Sequence, residues 1–129
     1  MIIGVLQIEL AIPWAESLKD KRRVIKSLKD RLHREHQVSV AEVAAQEALT
    51  TAILGVAAVG SDGRYIGQTL DRISEKARSL HDAEVVATRR HLISGDKGAF
   101  PKPQEPVDHG YVQSMIDRAR ELENTEQDG

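Results

Sequence analysis

From Ile2 to Ile12 the chain alternates. Ile2, Gly4, Leu6, Ile8, Leu10 and Ile12 fall on one side, and Ile3, Val5, Gln7, Glu9 and Ala11 on the other. A period of two over eleven residues predicts a strand with one face on a core and one partly wet, ended by Pro13, which has no N–H for a ladder. Ser17 is then suited to cap a helix. Leu18, Ile25, Leu28 and Leu32 recur at helical spacing, with Val24 at the edge of the stripe, which predicts an amphipathic helix to about Glu35. Val38–Val43 reads as a short strand. Thr51–Val59, apolar on both sides, reads as a central one.

Gly60, Ser61, Asp62 and Gly63 are turn residues with a capping aspartate among them. Ile66, Leu70, Ile73, Ala77 and Leu80 step by four, three, four and three, the signature of a second helix. Glu84–Ile93 reads as a last strand, with Arg89 and Arg90 on opposite sides. The order β-α-β-β-α-β predicts an α+β domain of ferredoxin-like topology over residues 1–94, a four-stranded antiparallel sheet with both helices on one face. Beyond Ser94, Gly95, Gly98, Pro101, Pro103 and Pro106 mark a linker. Asp108 is placed to cap a short helix with Val112, Met115, Ile116, Ala119 and Leu122 on one side, so residues 95–129 read as a separable polar tail.

The net charge of -2 conceals an asymmetry. Residues 1–94 sum to +2 and residues 95–129 to -4, and eight of the eighteen Lys and Arg lie between Ser17 and Glu35, against three acids. The absence of cysteine excludes a disulfide framework and thiolate metal sites, and suits a reducing compartment. The apolar start has no basic flank and is interrupted by Gln7 and Glu9, unlike a signal peptide. No stretch is long enough to span a bilayer. The expected setting is the cytoplasm, without a membrane partner.

Ser17-Leu18-Lys19-Asp20-Lys21-Arg22-Arg23, with Lys26-Ser27-Leu28 and Arg31-Leu32, precedes Ser39-Val40-Ala41-Glu42-Val43 and Leu54-Gly55-Val56-Ala57-Ala58-Val59, followed by Asp62. This pattern, over about Met1–Ile93, resembles the YlxP-like family of bacterial proteins, a domain of unknown function. The resemblance implies a ferredoxin-like fold, and a genomic setting beside translation-initiation and ribosome-maturation factors. Leu49 stands where the family pattern would carry a tryptophan, and the tail from Gly95 lies outside the pattern.

The first helix carries the main chemical signal. Lys19, Arg23, Lys26 and Arg34 are expected opposite the apolar stripe, interrupted by Asp30, with Arg22, Lys29 and His33 on its shoulder. Such an array suits nucleic-acid phosphates, which makes Lys19, Arg22, Arg23, Lys26, Lys29 and Arg34 the candidate RNA-binding residues. The bland alternative is a solvated face with Asp30 paired to Lys26 or Arg34. Base stacking on the sheet, as in an RRM, is disfavoured because Trp14, Tyr65, Phe100 and Tyr111 lie outside the central strands. Gly60–Gly63 spells the KH clamp pattern, but Asp62 would repel a phosphate, so it reads as a turn.

His33 and His36 have the spacing of a metal pair without evident further ligands. Glu42 and Glu47 are expected to be solvated rather than an acid–base pair. Trp14 is expected to plug an edge of the sheet or anchor a neighbour. Acylphosphatase chemistry on this topology would require an asparagine beside an arginine-bearing loop, and the chain's one asparagine is Asn124. No catalytic, metal or cofactor site is therefore expected. The sequence points to a non-enzymatic accessory of translation or ribosome maturation that contacts rRNA or a ribosomal subunit. The alternative is a homo-oligomer pairing through the open sheet face, where Ile3, Val5 and Ala11 lie beside Gln7 and Glu9.

Overall fold

The computed structural model describes residues 1–95 and 109–127, with side-chain surroundings for residues 1–95 and 113–123. The elements are β1 (Ile2–Ala11), α1 (Leu18–Glu35), β2 (Ser39–Ala44), β3 (Thr51–Gly60), α2 (Gly63–Arg78), β4 (Glu84–Ser94) and α3 (His109–Gln127). The sheet order is β2-β3-β1-β4, with every neighbouring pair antiparallel. Each helix thus joins two strands separated by a third, which is the expected ferredoxin-like arrangement.

Alternation assigns the layers. Leu6, Ile8 and Leu10 of β1 lie opposite Val56, Leu54 and Ala52 of β3, and all six are buried. They form one core with Val24, Leu28 and Leu32 of α1 and with Ile66, Leu70, Ile73 and Ala77 of α2, so both helices cover the same side of the sheet. Ile3, Val5, Gln7 and Glu9, the odd positions of β1, belong to the other face, which no helix of the domain covers. Gly4 is required by packing. A Cβ there would collide with Ile66 Cγ2 and come within 3.1 Å of Leu70 Cδ1, so its absence lets α2 lie close on the sheet.

Both helices start as their sequences direct. Ser17 Oγ accepts from Asp20 N at 3.1 Å, and Asp20 Oδ2 accepts in turn from Glu16 N at 3.0 Å, a variant of the reciprocal capping box. Asp62 Oδ1 accepts from Arg64 N at 2.9 Å and caps α2, so the glycine-flanked segment is a turn. In β4 a register shift opposite Glu9/Leu10 separates Val85 from Ala87. Arg89 then lies opposite Gln7 on the open face, and Arg90 opposite Leu6 on the helix side. Arg90 reaches α2, where Nη1 donates to Gly67 O at 3.1 Å and pairs with the Asp71 carboxylate.

The stripe of α1 differs from expectation. The buried positions are Lys21, Val24, Leu28 and Leu32, whereas Leu18 and Ile25 are only half-buried. The helix is rotated so that Val24, not Ile25, faces the sheet. The reason is Lys21, whose aliphatic stem fills the first turn of the buried stripe while its ammonium finds oxygen partners beyond it. The linker residues Gly98, Pro101, Pro103 and Pro106 and the cap expected at Asp108 lie outside the described residues. In α3 every described side chain, Gln113 to Glu123, is exposed, including Met115, Ile116 and Leu122.

Candidate nucleic-acid interface

The eight cations between Ser17 and Glu35 divide by helical pitch. Lys21 points inward, 1 % exposed. Its Nζ donates to Ala45 O at 2.9 Å, Gln46 O at 3.1 Å and Thr51 O at 3.3 Å, and lies 3.6 Å from Glu42 Oε1. All of its proton donors are thus occupied by the β2–β3 connection. By sequence Lys21 is one base among eight, with nothing to mark it for this role. Glu42, expected to be solvated, is half-buried and paired with Lys21. Glu47 is exposed in the same connection, as expected.

The remaining cations face outward. Lys19, Arg22, Arg23, Lys26 and Arg34 are exposed and Lys29 is half-buried. None of these six has a carboxylate within ion-pair distance, since the pairs among the described residues are Lys21–Glu42, Lys76–Glu35 and Arg90–Asp71. The suggested pairing of Asp30 with Lys26 or Arg34 does not occur.

The acids of α1 explain this. Asp20 is turned back into the N-terminal cap. Glu35 turns away to Lys76 of α2, at 2.7 Å. That hydrogen bond holds the Glu35 carboxyl below its ordinary value against desolvation, the next largest effect, and the nearby charges of Lys76, His36 and Arg31 add to the lowering. Asp30 alone remains among the outward bases. The helix therefore presents a strip of fixed positive charge about 24 Å long, taking about 1.5 Å per residue from Lys19 to Arg34. Arg34 and His33 also stand in the last turn, where the helix dipole favours a cation.

Two further features were not foreseen. Arg31 is half-buried beside Ser27, with Ser79, Leu80, His81 and Asp82 around the same hollow, so it extends the basic strip toward α2. At the far end of α1, His36 and Arg72 border a second hollow with Tyr65, joining residues far apart in sequence. His33 is exposed and His36 closes the helix, its N–H donating to Leu32 O. Among the described residues no three His, Cys, Asp or Glu side chains converge as metal ligands. Trp14 is half-exposed and ties the β1–α1 connection to the α2–β4 turn, its Nε1 donating to Asp82 O at 2.6 Å. Among the described residues no helix is long and apolar enough to cross a membrane.

The chain is similar to known proteins over most of its length. The family model described as "Protein of unknown function (DUF503)" matches residues 3–90. The uncharacterized protein YlxP of Bacillus subtilis (strain 168) is 32% identical over 88 residues, covering 68% of this chain and 96% of that protein. A de novo designed protein with a ferredoxin fold, solved by solution NMR, aligns over 84% of this chain and all of its own with a TM-score of 0.44 and 13% identity. The matched span takes in every element from β1 to α2 and most of β4, and leaves α3 outside it. The chain belongs to the DUF503 family, proteins of unknown function.

Proposed function

We propose that the protein is a non-enzymatic, cytoplasmic accessory of translation or ribosome maturation that binds RNA phosphates, on rRNA or a ribosomal subunit, through the solvent side of α1. The observation that carries this reading is the row of Lys19, Arg22, Arg23, Lys26, Lys29 and Arg34, none of them neutralised by a carboxylate among the described residues. A solvated helix face ordinarily interleaves acids with its bases. Here two of the three acids are drawn off, one into the cap and one to α2. The strip is suited to follow a backbone rather than to read bases, because ammonium and guanidinium groups contact phosphates without sequence information. The genomic setting that the YlxP-like resemblance implies points the same way.

The test is sedimentation of cell extract with and without nuclease, followed by binding of purified protein to ribosomal RNA across a salt series. Binding is expected to weaken steeply with salt, with a log–log slope between about -2 and -4 for three to six phosphate contacts on RNA. Replacing Lys19, Arg23 and Lys26 together by Glu should abolish association and leave the circular dichroism spectrum unchanged. A wild type that ignores RNA at low salt, or a triple variant that binds equally well, overturns the proposal.

A further inference from the structure

We propose that the sheet face opposite the helices is the interface of a face-to-face homodimer, closed by reciprocal ion pairs between Glu9 of one copy and Arg89 of the other. The face is apolar for most of its width. Val5, Ile53 and Ala57 are half-buried on it, and Val43 of β2 lies over Gly55 so closely that a Cβ there would sit 2.8 Å from Val43 Cγ1. A shallow groove of about 260 Å³ runs between Val5, Ala41, Val43 and Ala57. The register also puts Glu84 and His91 on this side, opposite Ala11 and Val5, but around the hollow beside the apolar strip stand one acid and one base. Glu9 of β1 pairs in register with Ala87, and Arg89 is two residues further along β4, so the two charges are diagonal neighbours bordering one hollow with Gln7 and Ile53. Among the described residues neither makes an ion pair within its own chain.

That pattern is self-complementary. A two-fold axis lying in the plane of the face, between Glu9 and Arg89, carries each carboxylate onto the partner's guanidinium and each guanidinium onto the partner's carboxylate. One symmetric operation thus satisfies both charges and covers the apolar strip beside them. A partner of other chemistry would have to supply an acid and a base at the same diagonal spacing. The area is adequate. Strands of up to eleven residues at about 3.3 Å, in four rows about 4.8 Å apart, give a footprint on the order of 500 Å² per copy. Rough side-chain surfaces exceed their projection, which brings this near the roughly 600 Å² per partner of the smallest stable specific interfaces. The helices would remain on the two outer sides of such a dimer, leaving both α1 strips accessible.

Mass in solution tests this on the full chain, by light scattering or sedimentation equilibrium over the micromolar range. The wild type is expected at twice the chain mass. Glu9→Arg and Arg89→Glu should each raise the dimer Kd at least about tenfold, because like charges then meet across the axis. The double swap should restore it. The Lys19, Arg23 and Lys26 charge reversal should leave the mass unchanged, so failure of the dimer and failure of RNA binding are separately visible. A monomeric wild type overturns the proposal. If Met115→Asp with Leu122→Asp then converts that monomer to a dimer, the face is occupied by α3 of its own chain. A dimer indifferent to either single swap, or a double swap that restores nothing, also overturns it.

Discussion

Lys21 Nζ lies 3.6 Å from Glu42 Oε1 beneath the β2–β3 connection, and the same ammonium donates to three backbone carbonyls of that connection. One carbonyl belongs to Ala45, a non-glycine residue at a φ of 59°. An alanine in the left-handed region costs on the order of 1 kcal/mol, so the buried cation holds a connection that the backbone alone disfavours. Replacing Lys21 by Met keeps the stem and removes the donors. It should destabilise the fold by roughly 3 kcal/mol, since a half-buried carboxylate and three carbonyls lose their partner. Urea unfolding measures this, and a cost under about 1 kcal/mol would contradict the assigned role.

Gly4→Ala places a methyl group against Ile66 and Leu70 of α2. Both neighbours are buried, so the clash must be relieved by moving the helix. The expected loss is about 1–3 kcal/mol, and it should be larger than for Gly63→Ala, where the new Cβ would sit 3.4 Å from the flexible end of Ile2.

Glu35→Gln tests the link between α1 and α2. The carboxyl of Glu35 is held below its ordinary value chiefly by the hydrogen bond from Lys76. A depressed folded pKa means that the pair stabilises the fold above the unfolded value, about 4.3 for glutamate, and that this contribution fades as the pH falls through the folded value. The wild type should therefore exceed Glu35→Gln slightly in Tm at neutral pH. The difference should shrink on acidification below pH about 4 and should also shrink in high salt, because Glu35 is exposed and Lys76 only half-buried. A difference that grows in acid would refute the pairing.

Trp14→Phe retains the ring and deletes the donor to Asp82 O. The expected cost is about 1 kcal/mol. Trp14 is the chain's one tryptophan, so its fluorescence reports the packing of the β1–α1 connection on the α2–β4 turn during unfolding.

Truncation after Ser94 removes α3 and the acidic segment. Every described side chain of α3 is exposed, so the loss of stability should be less than about 1 kcal/mol. Removal of the net -4 should also modestly tighten RNA binding at low salt by withdrawing competition for α1, an effect screened as salt rises. Failure of the truncated chain to fold would make the tail part of the core.

Much of this architecture was legible in one dimension because it rests on periodicity. The alternation from Ile2 to Ile12, the four-three steps of Ile66, Leu70, Ile73 and Ala77, and the caps at Ser17 and Asp62 are local devices. Each reports its element without reference to the rest of the chain. The outward cations of α1 were legible for the same reason, since helical pitch separates Lys19, Arg23 and Lys26 from Leu28 and Leu32.

What pitch could not decide was which residue shares the core with Val24. An ammonium at position 21 reads as surface until the β2–β3 connection brings three carbonyls and Glu42 above it, from residues more than twenty positions away. The fate of the acids was equally hidden: Glu35 is withdrawn from the basic strip only because α2 carries Lys76 alongside α1. Glu9 and Arg89, eighty residues apart, become neighbours only through the antiparallel pairing of β4 with β1. Short-range spacing sets the elements and the apolar side of most of them. Tertiary structure decided which charges are neutralised and which are left free, because partners for a charge are assigned by distance in space.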